Sequence, residues 1–110
     1  MLQITEISKA FNGREALHII MRSPSAFDAV LTDNNMPEMV GIELAENVRR
    51  LQKEGFMKPT TAVIMVSGDA SYLMREELLY DDEPLFDAFL NKPFALKQLR
   101  QTLEQHALLQ

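Results

Sequence analysis

Three side chains that can do chemistry come where apolar segments of the sequence end: Asp33, Ser67 and Lys92. A carboxylate can attack phosphorus and hold an acyl phosphate. A hydroxyl can hydrogen-bond to anionic oxygens, and a lysine ammonium adds a compact positive charge. These three groups can act together on one ligand only if the fold brings them to one place.

The hydrophobic pattern predicts four strands that alternate with four helices. The predicted strands are Leu2–Phe11, the run from Phe27 to Leu31 that finishes in Thr32-Asp33, Ala62–Val66 and Ala88–Leu90. One predicted helix follows Asn12 and a second follows Gly41. A third covers about Ser71 to Tyr80, and the fourth follows Pro93. Strands that alternate with helices of this length imply a parallel sheet covered on both faces. We therefore predict one α/β domain over residues 1–110, with Asp33, Ser67 and Lys92 at the carboxyl edge of its sheet, where ligands bind in such folds.

Apolar residues at helical spacing predict which faces of the helices are buried. Asn12 with Glu15 predicts a capping box at the first helix. The predicted inward faces are Ala16, Leu17, Ile20 and Met21 in the first helix, Leu44, Ala45, Val48 and Leu51 in the second, and Leu96, Leu99, Leu103 and Ala107 in the last. His18 and His106 are predicted to lie on solvated faces. The acidic segment from Asp81 to Pro84 is predicted to be a solvated turn at the opposite end of the sheet from Asp33.

Composition excludes several classes of protein. The chain has 110 residues, no cysteine and a formal net charge of −5, from 16 acidic and 11 basic residues. The lack of cysteine excludes a disulfide scaffold and a thiolate metal site, and the acidic balance argues against a nucleic-acid surface. The apolar runs are too short to span a membrane, and the first residues lack the pattern of a signal peptide. We expect a cytoplasmic domain that binds neither nucleic acid nor membrane.

Five segments resemble the receiver domain of two-component response regulators, in the order in which that family has them. They are the stretches 11–17 (FNGREAL), 27–39 (FDAVLTDNNMPEM), 41–44 (GIEL), 63–68 (VIMVSG) and 89–94 (FLNKPF). The resemblance implies a flavodoxin-like fold, a parallel sheet in a three-layer α/β/α arrangement with strand order 2-1-3-4-5.

The resemblance also implies roles for individual residues. Asp33 is at the position of the phosphoacceptor. Ser67 is at the position of a hydroxyl that bonds the phosphoryl group and moves on activation. Lys92 is at the position of a lysine that neutralises the charge of the phosphoryl group. Pro93 corresponds to a cis proline that aims this lysine. Asn35 matches the position whose backbone carbonyl binds Mg²⁺ together with the phosphoacceptor. Phe89 matches an aromatic switch residue, although a plain core role is equally compatible with the sequence.

The sequence departs from the family pattern at its start. Receiver domains begin with a central strand that ends in paired acids, whereas this chain begins at what resembles the second strand. The sequence therefore predicts an N-terminally truncated receiver domain of four strand–helix units without the acidic pair. Mg²⁺ is usually held by carboxylates and phosphate oxygens, so we expect weak or absent Mg²⁺ binding and inefficient phosphorylation of Asp33. Strand edges left unpaired by the missing strand predict a homodimer.

Two functions remain open. The first is a phosphorelay receiver whose Asp33 takes phosphate from a histidine kinase or a phosphotransfer protein. The second is a pseudo-receiver that acts as an interaction or dimerisation module without phosphorylation. A small hydrolase or phosphatase has little support, because the sequence shows no histidine base and no nucleophile elbow, and we expect no enzyme.

Overall fold

The structure is a computed structural model that describes residues 8–10, 12–33, 41–67 and 78–108. Its elements are α1 (Gly13–Arg22), a short 3₁₀ turn (Pro24–Ala26), β1 (Ala29–Asp33), α2 (Gly41–Lys53), β2 (Ala62–Ser67), β3 (Leu79–Tyr80), β4 (Glu83–Pro84), β5 (Ala88–Asn91) and α3 (Leu96–Leu108). The predicted strand Leu2–Phe11 lies almost entirely outside the described residues, as does most of the predicted helix from Ser71 to Tyr80.

The described part of the main sheet is parallel, in the order β1-β2-β5. In this register Asp33 is opposite Val66, and Ser67 is opposite Asn91. The ends of the three strands therefore meet at one edge of the sheet, as the sequence predicts.

The two faces of the sheet carry separate apolar clusters, so the domain has three layers. On one face, residues of α1 and α2 pack with Val30, Val63 and Met65. On the other face, Leu99 and Leu103 of α3 pack against the cluster that contains Ile64 and Leu90. The predicted α/β fold class is thus confirmed, and each strand supplies alternate residues to the two layers.

Strands β1 and β2 are buried to different degrees. Residues 62–66 of β2 are all buried, as expected for a parallel strand covered on both faces. In β1, Val30 and Thr32 are buried, but Leu31 is 39% exposed. The sheet is predicted to be covered on both faces, and this prediction is wrong at Leu31, because among the described strands β1 lies at the side of the sheet away from β5.

Helix α1 begins where the sequence predicts. The Asn12 side chain accepts a hydrogen bond of 2.8 Å from the backbone N–H of Glu15, which satisfies a donor that the first helical turn leaves open. Ile20 is buried, and Ala16 and Leu17 pack against the same cluster. Met21 is 56% exposed, so the prediction that it lies on the inward face is wrong.

Helix α2 has the buried face that its sequence predicts. Leu44, Ala45, Val48 and Leu51 are all at most 4% exposed. The helix is followed by Gly55 at φ +85°, where the N–H groups of the next residues bond back to the Leu51 carbonyl. A left-handed residue after the last turn is the usual way to end a helix.

Helix α3 covers the opposite face less fully than predicted. Leu99 and Leu103 pack against the sheet, whereas Leu96, at the first position of the helix, is 54% exposed. His106 differs from its prediction too: its side chain is 15% exposed, and its Nε2 lies 2.9 Å from the backbone oxygen of Thr60. It is a packed residue, not part of a solvated face.

A β-hairpin replaces the predicted end of the third helix. Leu79 and Tyr80 form β3, which pairs antiparallel with β4, so the prediction of a helix as far as Tyr80 is wrong. The two turn residues, Asp81 and Asp82, have φ values of 51° and 65°. Consecutive left-handed residues make the two-residue turn that suits hairpin twist, and aspartate tolerates this conformation. The predicted acidic turn is therefore present, as the tip of a hairpin.

Candidate functional site

The carboxyl edge of the sheet brings together residues that are far apart in the sequence. Asp33 is the last residue of β1, Ser67 the last of β2, and Lys92 directly follows β5. Neighbouring strands lie about 4.8 Å apart, and Ser67 is one position beyond the partner of Asp33. The structure thus places the backbones of the three predicted site residues at one edge, as the topology of a parallel sheet requires.

Lys92 and Asp33 form an ion pair across this edge. The Lys92 Nζ donates a hydrogen bond to the Asp33 Oδ2, joining residues 59 positions apart. Strand β2, which ends in Ser67, lies between the two strands that carry the pair. An anion bound at Asp33 would therefore be within reach of the Lys92 ammonium.

Both members of the pair are open to solvent. The side chains of Lys92 and Asp33 are 48% and 32% exposed. Exposed ion pairs contribute about 0–1 kcal/mol to stability, because water and salt screen the charges. The pair itself is therefore a weak structural element.

The structure describes some of the other predicted site residues fully and others in part or not at all. Phe89 is half-buried in β5 and packs edge-to-face on Phe86, with ring centroids 5.5 Å apart, which is a favourable aromatic geometry. The Lys92–Pro93 peptide bond is cis, as the resemblance implies. Asn35 lies outside the described residues, and for Ser67 the structure describes the backbone within β2.

Two polar residues at this edge were given no role in the sequence analysis. Thr32 is 2% exposed, beside Asp33 in β1, and its hydroxyl lies 3.4 Å from the Asp33 carbonyl oxygen. Asn91, opposite Ser67, has an exposed side chain at the end of β5. In the sequence, only their position points to this edge, because each residue directly precedes a predicted site residue.

The described residues at this edge offer few ligands for a divalent cation. Mg²⁺ takes an octahedral set of oxygens, usually with one or two carboxylates. Within the described ranges, no group of three or more histidine, aspartate or glutamate residues could hold a metal ion. The carboxylate of Asp33 is moreover engaged by the Lys92 ammonium. Among the described residues at this edge, the Asp33 carboxylate is the group that could ligate Mg²⁺, and a bound Mg²⁺ would neutralise negative charge there.

The acidic turn lies far from the carboxyl edge of the sheet. Asp81 and Asp82 lie at the hairpin tip, a few residues before Asp87. The N–H of Asp87 donates to the oxygen of Val63, near the start of β2. The acidic turn is therefore at the opposite end of the sheet from Asp33.

None of the helices in the described part of the chain combines the length and apolarity needed to cross a bilayer.

The fold and the edge geometry define a doubly wound α/β domain with an aspartate–lysine pair at its ligand-binding edge. The sequence matches the family described as "Response regulator receiver domain" over residues 1–104. The chain belongs to this family, which serves two-component signalling. Receiver domains are generally signalling modules and not enzymes.

Relatives from several signalling systems share this similarity. The chain is 36% identical over 98 residues to the sensor histidine kinase RcsC of Salmonella typhi, covering 89% of this chain and 9% of that protein. It is 28% identical over 104 residues to the chemotaxis protein CheY-3 of Vibrio cholerae, covering 94% of this chain and 73% of the relative. The chain thus spans about a tenth of the length of the sensor kinase.

Solved receiver domains have the same fold. The chemotaxis response regulator CheY4 of Vibrio cholerae superimposes with a TM-score of 0.68 at 28% identity, covering 92% of this chain and 77% of that one. A receiver domain protein from Clostridium thermocellum gives a TM-score of 0.67 at 23% identity, covering 92% and 76%. These similarities confirm the predicted flavodoxin-like fold.

Proposed function

We propose that this receiver domain accepts a phosphoryl group on Asp33 as a step in two-component signalling. The observation that carries the proposal is the ion pair between Lys92 and Asp33 at the carboxyl edge of the sheet. This pair joins a nucleophilic carboxylate to a cation, where ligands bind in such folds. Its exposed position supports a chemical role better than a structural one, since exposed pairs contribute little to stability.

The transfer makes one bond and breaks another. An Asp33 carboxylate oxygen forms the new O–P bond, while the bond from phosphorus to the leaving atom of the donor breaks, and the leaving group keeps the electron pair. The product is an acyl phosphate, with more negative charge at the edge than before. Lys92 loses its direct contact with the modified oxygen and binds phosphoryl oxygens instead, which offsets this charge.

Ser67 and Phe89 are proposed to change position when Asp33 is phosphorylated. Ser67 ends the strand next to Asp33, so its hydroxyl is proposed to bond the phosphoryl group. Phe89 is half-buried and meets Phe86 edge-to-face, and its ring is proposed to change rotamer on phosphorylation. A shift of Ser67 toward the phosphoryl group would then be accompanied by a shift of this ring.

The direct test is phosphorylation of the whole chain by a small-molecule donor, acetyl phosphate, with intact mass as the readout. We expect an adduct of one phosphoryl group that forms slowly, because the described residues provide one carboxylate at the edge and no cluster for Mg²⁺. The adduct should be lost in Asp33→Asn. It should be retained in Asp28→Asn, a matched control whose exposed carboxylate precedes β1.

The same experiment includes a magnesium titration, which tests whether phosphorylation requires Mg²⁺. Mg²⁺ bound at such an edge neutralises charge on the phosphoryl group, so a true requirement would appear as a faster rate with rising Mg²⁺ and loss of the adduct in a chelator. A chain that is folded by circular dichroism but forms no adduct at any Mg²⁺ concentration would contradict Asp33 as phosphoacceptor.

The proposed partner that supplies phosphate is a histidine kinase or a phosphotransfer protein. The support is similarity to the receiver regions of sensor kinases, including RcsC and the sensor kinase CckA of Brucella abortus, which is 34% identical over 99 residues. Transfer from a phosphorylated histidine domain to Asp33, absent in Asp33→Asn, is the outcome expected for this partner.

A second candidate is an interaction module that works without phosphorylation, in its simplest form a homodimer. The observation that favours it is Leu31, which is 39% exposed between the buried Val30 and Thr32. An apolar side chain exposed in a parallel strand is a feature that a partner could cover. Sedimentation velocity over a concentration series tests this candidate: dimer formation that is weakened in Leu31→Thr supports it, and a monomer at every concentration contradicts it.

A further inference from the structure

An open groove of about 850 Å³ lies between α2 and the β3–β4 hairpin, at the end of the sheet opposite to Asp33. Arg49 and Lys53 line it from α2, and residues 79–81, 83 and 84 line it from the hairpin. Phe86, which leads from the hairpin into β5, lines it as well and is 2% exposed. The groove is thus formed by a helix on one side and by the hairpin on the other.

Apolar surface is available in this groove. Leu79 is 49% exposed and is opposite Pro84 in the hairpin register, where both residues are exposed. Tyr80 is half-buried and packs against the main apolar cluster. Apolar side chains that line a concave surface together can bind apolar side chains of another molecule, which scattered exposed residues cannot do.

The charges of the groove favour a basic partner. Among the described residues that line the groove, the two cations are already neutralised by acids of the same lining: Lys53 is paired with Asp81, and Arg49 with Asp87. Glu83 also lines it, and no cation of the described residues lies within ion-pair distance of Glu83. The described part of the lining therefore has an excess of negative charge, in a chain with a net charge of −5.

The groove is held in shape by contacts between its two sides. The Lys53–Asp81 pair joins the end of α2 to the hairpin tip, and the Arg49 Nε donates a 3.0 Å hydrogen bond to the Leu85 oxygen. The Leu85 N–H donates in turn to the Leu78 oxygen, at 2.9 Å, and closes the base of the hairpin. A site that is already formed loses less conformational freedom on binding, which favours affinity.

We propose that this groove is a docking site for a segment of a partner protein in which apolar side chains flank a lysine or arginine. The apolar side chains would cover Leu79 and Tyr80, and the basic side chain would pair with Glu83. Because the groove is at the opposite end of the sheet from Asp33, binding would not require the Lys92–Asp33 pair. The proposal is therefore independent of phosphorylation.

The test uses two blocked synthetic octapeptides, one alternating leucine with arginine and one alternating leucine with glutamate. Each is titrated into the ¹⁵N-labelled whole chain, and amide chemical shifts are followed by NMR. We expect the basic peptide to shift the amides of residues 79–87 and of the last turn of α2, with an affinity that falls as salt is added. The acidic peptide should cause no such shifts.

Two variants locate the binding site. Glu83→Lys should weaken binding of the basic peptide on the order of tenfold, and Leu79→Ser should weaken it severalfold. Glu43→Lys makes the same charge change on an exposed residue in the first turn of α2, away from the groove, and should leave the affinity unchanged. Circular dichroism of each variant shows that the fold is retained.

Several outcomes would overturn the proposal. These are equal binding of both peptides, shifts centred on Asp33 instead of the hairpin, equal affinity in Glu83→Lys, or no binding at millimolar peptide. Shifts of the hairpin amides that depend on protein concentration without peptide would also overturn it, because the groove would then be occupied by a second copy of this chain.

Discussion

The Arg49 guanidinium and the Asp87 carboxylate lie 3.0 Å apart and join α2 to the start of β5. The same Asp87 Oδ2 accepts a 2.8 Å hydrogen bond from the N–H of Val63 in β2, and the N–H of Asp87 donates to the oxygen of Val63. One residue therefore aligns two neighbouring strands and holds the helix that covers them. Ser67 and the residue before Lys92 lie at the far ends of the two strands that are set in register here.

Replacing Asp87 with alanine should lower the free energy of unfolding by about 2 kcal/mol. Arg49 is 14% exposed, so the variant removes one of the acceptors of a poorly solvated guanidinium and the side-chain acceptor of a strand N–H. Hydrogen bonds to charged groups contribute about 1.5–3 kcal/mol. Urea unfolding followed by circular dichroism measures the change. The matched control is Asp28→Ala, whose side chain is 92% exposed and which should change stability by less than about 0.5 kcal/mol. Equal losses in the two variants would contradict this role of Asp87.

Gly55→Ala should lower stability by about 1 kcal/mol through the backbone alone. Gly55 has φ +85°, and an added Cβ would meet no atom within 4 Å, so the cost comes from the left-handed conformation and not from a clash. Gly55→Asn should cost less, since asparagine adopts this conformation more readily. Thermal unfolding of both variants measures the difference, and a neutral Gly55→Ala would show that the end of α2 can rearrange.

The Lys53–Asp81 pair should be visible in a pH titration. The hydrogen bond from Lys53 to Asp81, and secondarily the charge of Asp81, raise the pKa of Lys53 above its usual value of 10.5. Because the folded pKa is the higher one, the contribution of the pair to stability is complete below pH 10.5 and is lost as the pH rises through the folded value. ¹³C NMR of the Lys53 side chain measures this pKa, which should fall toward 10.5 in Asp81→Asn. An unchanged pKa in that variant would show that the pair does not form in solution.

The parts of the fold that follow from local pattern could be predicted from the sequence. The buried face of α2 is at helical spacing, and the apolar run of β2 is continuous, so burial of both can be inferred without knowing their neighbours. The meeting of Asp33 with Lys92 also follows, since parallel strands place their carboxyl ends at one edge.

The features that the sequence did not reveal depend on contacts between distant residues. The hairpin at Tyr80 is held by Lys53, 28 residues before Asp81, and a helical pattern upstream gives no sign of this contact. His106 is covered because it meets Thr60, 46 residues away. Met21 and Leu96 have the spacing of inward residues but lie at helix ends, where they are 56% and 54% exposed.

The Lys92–Asp33 and Arg49–Asp87 ion pairs lie at opposite ends of the sheet. They should respond differently when the cation is replaced by methionine. Lys92→Met removes an ion pair whose side chains are 48% and 32% exposed, and the aliphatic part of the side chain is kept. Stability should change by less than about 1 kcal/mol. Arg49→Met removes bonds to Asp87, Gln52 and the Leu85 carbonyl, and should cost about 2–3 kcal/mol.

The same two variants separate a chemical role from a structural one. Under conditions where both remain folded, Lys92→Met should slow formation of the Asp33 phosphoryl adduct roughly tenfold or more, because the cation that offsets the developing charge is gone. Arg49→Met should leave that rate close to wild type, since the guanidinium lies at the other end of the sheet. Urea unfolding and intact-mass kinetics on the two proteins give both quantities. A Lys92→Met protein that is strongly destabilised and phosphorylates at the normal rate would show that this lysine stabilises the fold and has no role in phosphoryl transfer.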